Sequence, residues 1–259
     1  LLTGYYPGQL QALLAHYARV SGVAPGHLDY ERFVILGQER TGSTFLQSLL
    51  NSHSQIVVIG ERFDSFTAVH WDHDLHWKIV PKRQLATFQD DPIGFLETHV
   101  FARFPKGISA VGFRLFYTHA KHARHKPVWT YLRDCKLSLE TAKKVGRWRH
   151  VSGEPAGDGI SILLDFDDCL RKSAETRERE REHDILFADH EKIDLFYEEL
   201  SLHYSSDMRR VQQFLDVEYQ FVVPATHKQA RLPLSVAISN YDALKARFEG
   251  TPWEAFFED

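Results

Sequence analysis

The stretch RFVILGQERTGSTFLQSLL, residues 32–50, decides how this chain folds. Phe33 to Leu36 is a short, wholly apolar run closed by Gly37, the pattern of a strand buried on both faces that feeds a loop. From Thr44 to Leu50 the apolar positions 45, 46, 49 and 50 recur at helical spacing, so a helix packs one face on that strand's sheet. Working outward, Gln55 to Gly60, Ile108 to Phe113, Val128 to Leu132 and Lys192 to Tyr197 read as further strands. Asp134 to Val145, Asp165 to Asp189 and the stretch around Met208, Val211, Phe214 and Leu215 read as helices. Strands alternating with helices predict an α/β fold, a central, mostly parallel sheet flanked by helices. No repeat or linker interrupts it. The expectation is one domain over residues 1–259, with an insertion of short helical pieces at about 64–105.

Composition narrows the function. The 259 residues are 43% hydrophobic and 25% charged, which excludes a disordered chain. A net charge of -4 argues against a bulk nucleic-acid binder. Cys135 and Cys169 cannot make a disulfide framework. No apolar run reaches membrane-spanning length. These features fit a cytoplasmic protein; a lumenal fragment trimmed of its anchor also fits.

Gly37-Gln38-Glu39-Arg40-Thr41-Gly42-Ser43-Thr44 spaces its glycines as a nucleotide phosphate loop does. Such a loop turns backbone N–H groups inward, and the helix behind it adds its own free N–H groups and positive end. Ser43 stands where a nucleoside-triphosphate site carries lysine. The nearest cation is Arg40, suited to a two-pronged grip on phosphate or sulfate oxygens. Arg133, at the end of the expected strand 128–132, and the hydroxyls of Ser138 and Thr141 on the helix after it form a candidate second phosphate site. The opposing reading is an arginine paired with Asp134.

These residues resemble the sulfotransferases that use 3′-phosphoadenosine 5′-phosphosulfate (PAPS), closest to bacterial carbohydrate sulfotransferases of the nodulation-factor, lipopolysaccharide and trehalose type. The family's R-[ST]-G-S-T loop is Arg40-Thr41-Gly42-Ser43-Thr44. VWTYLRDCKLSLETAKKVGRW (128–148) resembles the strand and helix that hold the 3′-phosphate, with Arg133 as its arginine and Ser138 or Thr141 as its hydroxyl, Ser138 being preferred. DLFYEEL (194–200) resembles the strand ending in Y-E-x-L, and MRRVQQFLDV (208–217) the helix behind it. THKQARLPLSVAISNYDAL (226–244) resembles the loop that closes on the nucleotide through Lys228 and Gln229. The resemblance implies a P-loop NTPase-like sulfotransferase fold and PAPS as donor. It further implies adenosine 3′,5′-bisphosphate as product, a carbohydrate or related alcohol as acceptor, and no required metal. Homodimers occur in such families, but no interface stripe is visible here.

The resemblance also suggests the base: Glu61, in Gly60-Glu61-Arg62-Phe63, matches a glutamate at the end of the family's second strand. Its bland alternative is a surface pair with Arg62. Arg114, after Gly112-Phe113, stands near the family's sulfonate-side lysine. His70, His73, His76, His119, His122 and His125 are rival bases, none singled out. Lys121, Arg124 and Lys126 form a basic patch, and Phe63, Phe66, Trp71, Trp77, Phe101, Phe104 and Phe116 either line a sugar cleft or pack in the core. Two other function classes stay open: a kinase or NTPase on the same loop, and a non-catalytic nucleotide-binding member.

Overall fold

The computed structural model describes residues 26–39, 41–67, 82–135, 138–143, 161–224 and 233–257, with backbone alone for 82–84, 138–143 and 198. They fall into two compact units, one of residues 1–143 and 186–227, the other of 144–185 and 228–259.

The first unit is built on five strands: β1 Glu31–Gly37, β2 Ile56–Glu61, β3 Ala110–Phe116, β4 Ser138–Lys143 and β5 Lys192–Phe196. They lie in the order β2-β3-β1-β4-β5, and every neighbouring pair is parallel. β1 is therefore central, and successive side chains go to opposite faces. Phe33 and Ile35 join one apolar layer and Val34 and Leu36 the other. The first layer is closed by helices α1 (Ser43–Leu50) and α6 (Tyr197–Phe214), through Leu46, Leu49, Met208 and Val211. The second is closed by α2 (Lys82–Asp90), by α3 (Pro92–Phe95) with the π-helical turn Leu96–Val100 that continues it, and by α4 (Pro127–Asp134). Burial of both faces explains why the strand sequences are nearly continuous apolar runs.

β2 is an edge strand, and α1 covers part of that edge. The Asn51 side chain, just past α1, accepts from the Val58 N–H at 2.7 Å and donates to the Val58 carbonyl at 3.0 Å. Backbone groups that would otherwise invite a sixth strand are thus satisfied locally.

The second unit has its own small core. There α5 (Phe166–Leu186) contributes Cys169, and α8 (Tyr241–Phe248) contributes Tyr241, Leu244 and Phe248. The short helix α7 (Leu234–Ala237) precedes α8, and a parallel bridge joins Ile162 to Ile238.

Two expectations reverse between residues 128 and 145. Val128–Leu132, read as a strand, lies in helix α4, and the helix expected from Asp134 gives way to strand β4. Pro127 starts α4 at a position where its missing N–H costs nothing. Val128 and Leu132, four apart, are both fully buried. Their β-branched and aromatic neighbours suit a strand locally, and packing overrides that preference. The aromatic question is also answered in part. Phe63, Phe101, Phe104 and Phe116 are core residues, 0–3% exposed, whereas Trp71 and Trp77 lie outside the described residues.

Candidate functional site

The loop from Gly37 to Thr44 leaves the carboxyl end of the central strand and enters α1. In this topology the chain turns from β1 toward β2 on one side and later to β4 on the other. Ligands in open α/β sheets bind at the carboxyl ends beside such a reversal. Gly42 has φ of 82°, in the left-handed region that favours glycine. A Cβ there would also stand 1.9 Å from the ring of Tyr197, the first residue after β5. Glycine is therefore required twice, once for the turn and once for the aromatic wall laid against it. The Tyr197 ring also meets Phe45 edge-on, with centroids 6.2 Å apart.

The first turn of α1 has no acidic residue and no side-chain cap; the Phe45 and Leu46 N–H groups donate to the Gly42 carbonyl at 2.9 and 3.1 Å, and a helix start of this kind suits an anion. Thr41 donates to the Gln38 carbonyl at 2.8 Å, bracing the loop from within. Ser43 is 3% exposed, and its hydroxyl lies 3.2 Å from Nη1 of Arg114. The same Nη1 donates to Thr44 Oγ1 at 2.8 Å. Arg40 lies outside the described residues.

Arg114, 5% exposed, is the cation at the centre of this arrangement. Its Nη2 lies 3.2 Å from Oε1 of Glu61, whose side chain keeps 34% of its exposure. The backbone makes this pairing. The β2–β3 register runs Ile59 opposite Phe113 and then Glu61 opposite Arg114, so Gly60 is an extra residue in a bulge. A bulge at a strand end re-aims the next side chain, and here it sets Glu61 beside its partner. The alternative pairing with Arg62 is not found: Arg62 is 1% exposed, and its Nη1 donates to the Glu61 backbone carbonyl at 2.5 Å. Thus Thr41, Gly42, Ser43, Thr44, Glu61 and Arg114 come together at one end of the sheet.

The second phosphate site is placed differently. Arg133 lies in the last turn of helix α4, not at the end of a strand, and its Nε bonds Asp134 at 2.8 Å in the open. Ser138 begins β4 opposite Phe33, well before the strand's loop end, and Thr141 stands opposite Leu36. Lys228 and Gln229 lie outside the described residues.

The histidines separate. His125 is buried against Phe63, Phe66 and Phe88 and contacts the Phe88 carbonyl at 3.0 Å; burial pushes its pKa down. His122 stacks on Phe66. His119 is 6% exposed at the sheet's carboxyl end; burial lowers its pKa, against the pull of Glu61, Asp64 and Glu39. His70, His73 and His76 lie outside the described residues. In the basic patch, Arg124 pairs with Asp90 at 2.5 Å, and Lys121 and Lys126 are exposed. Among the described residues no group of three or more His, Cys, Asp or Glu side chains converges as metal ligands would, and no helix is long and apolar enough to cross a membrane.

Sequence reasoning overlooked two parts of this end of the sheet. Tyr197 had a signal, since it opens the Y-E-x-L segment at a strand end. The turn after β3 had none: Tyr117 donates its N–H to the Gly37 carbonyl at 3.0 Å, and Thr118 Oγ1 donates to Glu39 at 3.1 Å.

No protein-family model matches the chain. Nodulation protein H of Rhizobium tropici is 26% identical over 246 residues, which span 88% of this chain and 93% of that protein. A solved sulfotransferase from Alicyclobacillus acidocaldarius aligns over 84% of this chain and 91% of its own, at 14% identity and a TM-score of 0.40. Over most of its length the chain is thus a distant relative of a nodulation protein, carrying a phosphate-type loop, a buried arginine and a carboxylate at one end of a parallel sheet.

Proposed function

We propose that this chain is a PAPS-dependent sulfotransferase that moves the sulfuryl group to a hydroxyl of a carbohydrate or related metabolite. The observation that carries the reading is the single guanidinium of Arg114, bonded on one nitrogen to the loop hydroxyls and on the other to Glu61. The R-T-G-S-T motif and the distant likeness to Nodulation protein H support it.

The residues suit an anionic donor. A helix start free of acidic side chains, a glycine turn and a buried cation converge where a phosphosulfate would lie. When bound, the donor supplies an activated sulfuryl group with a phosphate as leaving group. Backbone N–H groups of the loop, with Ser43 and Thr44, hold its oxygens, and Arg40 grips them from the loop. Glu61 accepts the proton of the acceptor hydroxyl as the new bond forms. Arg114 fixes the spacing between that carboxylate and the loop, because a planar guanidinium holds both partners rigidly. Such positioning is worth much of a transfer barrier. In this reading the exposed rim beyond Glu61 receives the acceptor. The loop and the sheet order also suit a P-loop NTPase-like ancestry for the fold.

Calorimetric titration with adenosine 3′,5′-bisphosphate, against ADP and Mg-ATP, tests the proposal. Bisphosphate binding at about 1 μM or tighter, roughly -8 kcal/mol, with no need for Mg²⁺ and loss on Arg40→Ala, is expected. Preference for Mg-ATP would overturn it in favour of a kinase.

A further inference from the structure

The turn after β3 ties two otherwise separate loops together. Its residues 117–118 reach the phosphate-type loop, through Tyr117 N–H to Gly37 and Thr118 to Glu39. Its residues 119–120 reach the segment that carries Glu61. In the tautomer protonated at Nδ1, His119 donates to the Arg62 carbonyl at 3.0 Å; the Phe116 N–H, 3.3 Å from the same nitrogen, is bonded to it only in the other tautomer. One residue on, the Ala120 N–H donates to the Phe63 carbonyl at 2.9 Å. Phe63 and Ala120 both take positive φ, 65° and 51°, which is costly for residues with a Cβ. Two strained residues facing each other through one hydrogen bond need a local restraint, and the buried imidazole is placed to supply it.

We infer that His119 is a positioning residue for Glu61: its Nδ1 pins the Arg62 carbonyl to the end of β3 and so holds the neighbouring carboxylate in register with Arg114. This rests on the sulfotransferase reading for its functional consequence but not for its structural one. The polar atom in use sits at the δ position of the side chain. An asparagine offers a donor and an acceptor at the same depth, a glutamine places them one atom further out, and a leucine offers neither. None of the three can relay a proton at pH 7, so rescue by asparagine separates positioning from base catalysis.

The experiment compares His119→Leu, His119→Asn and His119→Gln in the full chain. In sulfuryl transfer from PAPS, the Leu and Gln variants lose about 10- to 100-fold in kcat, the scale of a small misplacement, while bisphosphate affinity holds and Asn recovers most of the loss. Hydrogen exchange at the Ala120 and Arg62 amides accelerates in the Leu and Gln variants and returns toward the parent rate in Asn. If the Leu variant does not fold, the Asn–Gln contrast carries the test. Equal damage by Asn and Gln would overturn positioning in favour of a base or a purely steric role, and parental exchange in every variant would overturn it outright. Should the parent transfer no sulfuryl group, the function proposed above fails while the exchange arm still decides the role of His119.

Discussion

The two segments expected to hold phosphate behave differently in the fold. The stretch at 32–50 becomes the strand, loop and helix that its pattern implies, whereas the stretch at 128–145 becomes helix then strand where the reverse was expected. The first has two strong local signals, an apolar run bounded by glycine and a helix face at regular spacing. The second has a short, aromatic and β-branched piece after a proline, which either element accommodates, and a β4 sequence, Ser-Leu-Glu-Thr-Ala-Lys, with too few apolar residues to announce a strand. β4 is held instead by pairing with β1 on one side and β5 on the other. Local sequence decides an element when its pattern is unambiguous; neighbours decide it otherwise.

The contrast can be broken first at the carboxylate. Glu61→Gln keeps the hydrogen-bonding shape beside Arg114 but removes the proton acceptor, so turnover falls about 10²- to 10⁴-fold while bisphosphate titration is unchanged. Near-normal turnover would move the base elsewhere.

Gly42→Ala attacks the loop itself. The left-handed turn and the Tyr197 ring both oppose a methyl group, and each conflict costs about 1–3 kcal/mol. Denaturant unfolding should show the loss, with bisphosphate binding abolished in the folded remainder; a variant of parental stability and affinity would mean that Tyr197 readily moves aside.

A smaller effect comes from pH. His53 donates through Nε2 to the Glu218 carbonyl at 2.9 Å and accepts at Nδ1 from the Gln55 N–H at 3.1 Å, an arrangement only the neutral ring satisfies. Burial depresses its pKa below the ordinary 6.5, as it does for His125. The unfolded chain therefore binds these protons first. Stability is full above about pH 6.5 and declines as pH falls below it toward the folded-state pKa values. Thermal unfolding between pH 7.5 and 5 checks the slope, which His53→Gln should flatten.

The least effect is expected at Arg133→Ala. Its guanidinium is exposed and bonded to the adjacent Asp134, so bisphosphate affinity should change little. A large loss would return this arginine to the nucleotide and show that the 128–145 region rearranges when the nucleotide binds.

Much of the candidate site was legible. The loop residues Thr41 to Thr44 were read from glycine spacing between a strand and a helix, and Glu61 and Arg114 from motif position at strand ends. The pairing between those last two was not legible. It depends on β3 lying between β1 and β2 and on one extra residue at Gly60, facts of register that no local pattern records. Nor could sequence rank His119 above His122 and His125, which share its spacing; only packing sends the three rings into different surroundings.

What the sequence by itself determined was the α/β class, the central buried strand and the glycine-spaced loop between that strand and its helix, because hydrophobic run length, helical periodicity and glycine placement are properties of a few adjacent residues. What only the tertiary structure decided was the strand order, the identity of β4, the Arg114 bridge and the Tyr197 wall over Gly42. Each joins residues distant along the chain, and their contact exists only once the sheet has brought its strand ends to the same edge.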